Sequence, residues 1–322
     1  MKKILLLIFK IIEILFSPFT ILAAFWLKIL RKGGLIRETF SGKIFSAMGI
    51  LPVVDHYYEP MASPHKHLKT PLRQDRLLPG IDLNEAGQLA LLEKFNYNDE
   101  LLKIPLHKKN DLEYYYDNNV FAYGDGEFLY NIIRHIKPLK IIEVGGGNST
   151  KLIYKAMQQN QTENAAYKCE HICIEPYEQP WLEKLNTTIV RKKVEDIDIS
   201  FFKQLQENDI LFIDSSHIIR PQGDVLFEYL TILPVLNPGV IVHIHDIFTP
   251  KDYLDRWIYN YKLLWNEQYL LEAFLTLNKE FEIIGALNFL KNHHTQALGS
   301  KCPVLAQYPD AEPASFWMRR KQ

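Results

Sequence analysis

The run Ile141-Ile-Glu-Val-Gly-Gly-Gly-Asn-Ser-Thr150 limits the folds open to this chain more than any other stretch. An apolar segment ends in three consecutive glycines, and helix-forming sequence follows at once. Glycine can turn sharply there and lets a ligand approach the backbone with no Cβ in the way. Such a junction belongs to chains in which strands and helices alternate and the strands lie parallel. The surrounding pattern agrees. Residues 140–144, 171–174, 188–190, 209–213 and 240–244 read as short apolar strands, with helical spacing over 127–136, 149–158, 224–233 and 267–277. Residues 281–287 and 315–319 complete the set as a terminal pair of strands. The expectation is an α/β fold, doubly wound, with a mostly parallel seven-stranded sheet over residues 120–322.

Acidic residues sit where this turn would meet a ligand. Glu143 precedes the first glycine by two residues, where a dinucleotide-binding fold keeps an apolar side chain, and Thr150 stands where that fingerprint wants its third glycine. A carboxylate at that point can hold the ammonium group of a sulfonium ligand, directly or through water, whereas it repels a pyrophosphate. The next strand ends in Glu175, 28 residues after Gly147. An acid there can accept both hydroxyls of a ribose. After the third strand, Glu195 or Asp196 can accept an adenine amino group, or can simply face solvent in a turn.

Taken together, the run from Glu143 to Ser149, Glu175, Phe212-Ile-Asp-Ser-Ser-His217 and Pro238-Gly-Val-Ile-Val-His-Ile-His-Asp246 resemble class I S-adenosylmethionine (SAM)-dependent methyltransferases. The resemblance is nearest to bacterial members whose fourth strand ends in FIDxxH and whose fifth ends in HD, and it covers roughly residues 120–320. It implies that Glu143, Gly145, Gly147 and Glu175 hold SAM, with Ser149 in place of a frequent last glycine. It leaves the acceptor open, since members methylate oxygen, nitrogen and carbon.

Ligands of open α/β sheets bind beyond the carboxyl ends of the strands. Asp214 and His217 follow the fourth strand there, and His245 and Asp246 close the fifth. In one reading Asp214, His245 and Asp246 bind a divalent ion such as Mg²⁺ that lowers the pKa of an acceptor hydroxyl. In another, His217 or His245 is a general base oriented by Asp214 or Asp246. In a third, these residues only cap strands. His243 lies deeper on the same strand and reads as a buried histidine. Asp125 and Glu127 fit helix capping or the rim of the cofactor cleft. Tyr114-Tyr-Tyr-Asp-Asn-Asn119 reads either as an aromatic lid or as simple packing, and His293-His294 as a solvated pair rather than a ligand set.

The beginning of the chain is compositionally separate. From Ile4 to Leu30 it is apolar apart from a few interruptions, chiefly Lys10, Glu13 and Lys28, and its longest uncharged stretch, 14–27, contains Pro18. Lys10 and Glu13 lie one helical turn apart and can neutralise each other. Basic residues flank the run and Trp26 stands near its end, as at membrane interfaces. Residues 1–35 are therefore expected to be a hydrophobic helix that lies on or spans a membrane, with a signal peptide or a helix packed on the domain as the alternatives, 36–119 a connector and cap, and 120–322 the methyltransferase domain. That arrangement implies a membrane surface as one partner and a small-molecule or lipid-like acceptor as another, with the catalytic domain in the cytoplasm where SAM is available. A net charge of −1 excludes a global nucleic-acid footprint, and three cysteines without ligand spacing suit a reducing compartment.

Overall fold

In the computed structural model, residues 2–32, 39–56, 58–61 and 63–321 are described. The expected boundary between residues 35 and 36 lies outside the described residues. By its internal contacts the chain divides into two compact units, one of Met1–Thr70 with Arg256–Leu264, the other of Pro71–Asp255 with Trp265–Gln322. The expected 36–119 connector is thus split. Its second half belongs with the sheet because Leu92, Phe95, Leu101 and Ile104 are buried in the same core as the strands.

The sheet has β1 Lys140–Val144, β2 Glu170–Ile174, β3 Thr188–Val190, β4 Ile210–Ile213, β5 Ile241–Ile244, β6 Phe281–Ala286 and β7 Phe316–Arg320. Its order is β3-β2-β1-β4-β5-β7-β6. The first five strands run parallel, and β7 pairs antiparallel with both β5 and β6. Every residue of β4 and β5 is buried, as strands covered on both faces require. Because the chain steps outward from β1 to β2 and β3 and then returns to β4, the loops after β1 and β4 diverge. A crevice is left at that switch point.

Two local expectations change. Residues 224–233 are not one regular helix: an α turn, Asp224–Phe227, widens into a π turn, Glu228–Ile232, and then tightens over Leu233–Val235. Pro234 supplies no N–H to a regular helix and its ring crowds the preceding turn. Tyr114 and Tyr116 are not a lid. Both are buried in the core, and their hydroxyls donate to the carbonyls of Phe121 (2.9 Å) and Leu101 (3.2 Å).

In the other unit, a single helix Lys2–Lys32 runs through Pro18. Over Ile4–Arg31, 28 residues, it is long and apolar enough to cross a membrane by length and composition. Its large apolar side chains are exposed, Leu5, Phe16 and Phe25 among them.

One buried charge ties residues 98–101 to the sheet unit. The Arg134 side chain is enclosed, donates to Glu100 (2.8 and 2.9 Å), and also meets Asn160 and Glu163. Replacing it by leucine removes a partner from three polar groups at once. Urea unfolding of Arg134→Leu should show a loss of about 3 kcal/mol. A loss below about 1 kcal/mol, the scale of a surface ion pair, would contradict this account of the junction.

Candidate functional site

The glycine turn after β1 is built against the residue that ends β4. Gly145 has φ +88°, and a Cβ added to it would lie 2.1 Å from the Asp214 carbonyl oxygen. No other residue fits there without moving backbone. Across the turn, Glu175 accepts the Gly146 N–H (3.0 Å) and the Tyr177 N–H (2.9 Å). A cavity of about 330 Å³ opens at this switch point, lined by Gly145, Glu175, Tyr177, Glu195, Asp214 and Arg220 among others. Gly145, Glu175, Glu195 and Asp214 therefore stand where the sequence places cofactor contacts. Asp196 does not, because it is exposed and outside the cavity wall.

Glu143 departs from its expected role. Its side chain is 0% exposed, and its two oxygens face Ser149 Oγ, which donates at 2.7 Å, and His171 Nε2 at 2.9 Å. Both oxygens of that carboxylate are thus taken up by protein groups, and Glu143 is not on the cavity wall. Thr187 lies 3.3 Å from His171 Nδ1, which suits a ring that donates from Nε2 to the acid. Glu143 and Ser149 thus pin the start of the helix Asn148–Glu163 to β1 rather than line the cavity, and Gly147 lies outside the cavity wall as well.

At the ends of β4 and β5 the four predicted residues do meet. His217 Nε2 lies 3.4 Å from Asp214 Oδ1 and 3.4 Å from Asp246 Oδ2. His245 Nδ1 lies 3.5 and 3.6 Å from the Oδ1 atoms of the same two acids, and its Nε2 is 3.6 Å from Asp125. The interleaving has an electrostatic reason, since two buried carboxylates repel unless cations stand between them. Desolvation opposes charge on both rings, yet the neighbouring acids win and raise both histidines well above their ordinary value. Asp214 is held below the carboxylate range by His245 and His217 despite its burial, whereas burial raises Asp246. His217 and Asp246 both adopt left-handed backbone, with φ +60° and +57°. Non-glycine residues seldom do so, and the strain tends to gather at functional sites.

Among the described residues, the group that converges as metal ligands is Asp214, His217 and Asp246, with one ligand atom of each within 4.8 Å of the others. His217 replaces the predicted His245, whose ring packs instead on Phe121 (centroids 5.0 Å apart) and turns one nitrogen toward Asp125. Glu267 completes the arrangement and had no signal in the sequence. Its buried Oε2 lies 2.8 Å from His217 Nδ1, which aims Nε2 at the two aspartates. A carboxylate behind a histidine in this way is a common outer partner of metal sites.

The other predicted polar residues are structural. Asp125 accepts the N–H groups of Ala314 and Ser315, and Glu127 those of Gly124, Val304 and Leu305. Burial pushes Glu127 up to about 7 against those three donors. His243 is enclosed as expected, stacked on Phe212 at 3.9 Å, and burial lowers its pKa. His293 and His294 are paired rather than merely solvated, with Asp75 at 2.7 Å and Glu85 at 3.1 Å.

Known proteins are similar to the part of the chain that carries this site. Residues 142–247 match a family model described as "Methyltransferase domain". An uncharacterized protein of Archaeoglobus fulgidus is 32% identical over 146 residues, which are 43% of this chain and 64% of that relative, so the match spans less than two thirds of the relative's length. A solved structure, the O-methyltransferase from Bacillus cereus in complex with SAH, aligns over 72% of this chain and 91% of its own at 12% identity, with a TM-score of 0.35. The family match begins inside β1 and ends one residue past Asp246, so it encloses the glycine turn and both strand-end acids. Over residues 142–247 this chain is similar to methyltransferase domains, in line with the resemblance that its motifs carry to class I SAM-dependent methyltransferases.

Proposed function

We propose that this chain transfers a methyl group from SAM to an oxygen or nitrogen of a small or lipid-associated acceptor. The observation that carries the reading is the cavity at the switch point, with Glu175 on its wall and Asp214 at its end. Glu175 Oε2 accepts from the Gly146 N–H and, at 3.4 Å, from Gln179 Nε2, whereas Oε1 accepts only the Tyr177 N–H and so has room for a ribose hydroxyl. Glu195 and Arg220 line the same cavity and are available to contact the base.

In the transfer, a lone pair of the acceptor forms a bond to the methyl carbon as the carbon–sulfur bond breaks. The bonding pair stays on sulfur, which becomes a neutral thioether. The acceptor must also lose a proton. The carboxylates around His217 and His245 raise both rings above their ordinary value, which favours the protonated form and weakens each as a base. Asp246, whose raised pKa makes it a better base than an ordinary carboxylate, is the group that receives the proton. In-line positioning supplies much of the remaining rate.

Asp214, His217 and Asp246 also fit a divalent ion, with Glu267 orienting the imidazole. Such an ion polarises an acceptor hydroxyl and lowers its pKa. It and the proton on Nε2 exclude each other, because a histidine ligand must be neutral. The helix Lys2–Lys32 adds an address: it holds the chain at a membrane, with the methyltransferase domain on the cytoplasmic side.

Calorimetry should detect SAM binding by the wild type and a loss of about 1–3 kcal/mol in Glu175→Ala. Unchanged binding in the folded variant would contradict the ribose role, and tighter binding of NADH than of SAM would contradict the class. Nitrogen NMR of labelled histidine tests the strand-end cluster. At pH 7 without divalent ions, His217 should show the imidazolium signature. Its folded pKa is raised, so its contribution to stability is complete below about pH 6.5 and is lost as the pH climbs through the raised value. Adding Mg²⁺ should convert His217 to the neutral ring, and a chelator should reverse the change. A ring neutral at pH 7 from the start contradicts the charge assignment, and an imidazolium indifferent to divalent ions contradicts the metal site.

A further inference from the structure

Charge is divided very unevenly between the two units. Residues 1–70 and 256–264 hold 12 Lys and Arg against 4 Asp and Glu, a formal +8, whereas the rest of the chain holds 25 against 34, a formal −9. The cationic unit also exposes apolar surface beyond its long helix. Phe40, Met48 and Leu51 are exposed, and so are Tyr261 and Leu264 in the excursion 256–264. Arg256 and Lys262 are exposed in that same excursion. A stacked contact of Tyr259 on His65, with centroids 4.6 Å apart, ties it to the N-terminal residues.

We propose that residues 256–264, with residues 40–53, form a second membrane contact that docks on anionic lipid headgroups. Exposed tyrosine and leucine side by side with arginine and lysine suit the interfacial zone, where rings and stems enter the lipid and cations meet phosphate. Anionic headgroups attract basic residues near the surface. An acidic protein would satisfy the charge, but not the 28-residue apolar helix carried by the same unit. The proposal rests on reading that helix as membrane-associated. It adds that the docked excursion is continuous with the chain that packs on His217, a candidate metal ligand. The return leg begins at Trp265, whose ring lies 4.4 Å from that of His217. Asn266 and Glu267 then donate their N–H groups to the His217 carbonyl at 3.0 and 3.3 Å.

Hydrogen exchange of the full chain tests this, with the protein reconstituted into nanodiscs of phosphatidylcholine alone or mixed with phosphatidylserine. Amides of 256–264 should exchange about tenfold more slowly on the anionic discs, the effect expected of one or two basic residues reaching the surface. In Arg256→Glu with Lys262→Glu that difference should vanish while the chain still floats with vesicles. The milder pair Arg256→Gln with Lys262→Gln should lose part of it. Equal exchange on the two lipid compositions overturns the proposal, as does slowing produced by soluble polyglutamate and not by vesicles. A wild-type chain that does not float overturns the reading of the helix and this proposal with it. One that floats without lipid-dependent exchange overturns this proposal alone.

Discussion

A parallel sheet covered on both faces gives the carboxylates at its strand ends almost no water, so protein groups must compensate each of them. A buried carboxylate without a partner costs several kcal/mol or takes up a proton. Glu143 is met by Ser149 and His171, while Asp214 and Asp246 share His217 and His245, with Glu267 behind His217. Glu228, at the widened turn, accepts from Ser215 Oγ at 3.0 Å and is raised well above the carboxylate range by burial. These pairings join β1, β2, β4, β5 and the helix Glu267–Leu275 into one electrostatic unit around the crevice.

That compensation separates two kinds of acid that look alike in the sequence. Glu143 and Glu127 have all their acceptor capacity turned inward, toward a hydroxyl, a ring or backbone N–H groups, and so brace the fold. Glu175 keeps a face on the cavity, and Asp214 does so while balanced against two imidazoles. The same balance raises both histidines, so their protonated rings serve as electrostatic partners of the two aspartates.

Much of this was legible in the sequence because the signals are local. The strands 140–144 and 188–190 coincide with those observed, and Gly145, Glu175, Asp214 and Asp246 follow from their places at strand ends. What was not legible depends on partners far along the chain. His171 meets Glu143 across 28 residues, and Glu267 reaches His217 across 50. No spacing rule announces either. Tyr114 and Tyr116 could be read as a lid until the core that encloses them was known. The opposite charges of the two units were hidden by a sum of −1, since composition averages over units that only contacts separate.

The most direct test of the account is a crystal structure of the chain with S-adenosylhomocysteine bound. The account predicts the ribose hydroxyls on Glu175, the base along Glu195, the sulfur facing the Asp214–Asp246 pair, and Glu143 untouched by the ligand. A ligand outside the crevice between β1 and β4, or one held directly by the Glu143 carboxylate, would contradict it.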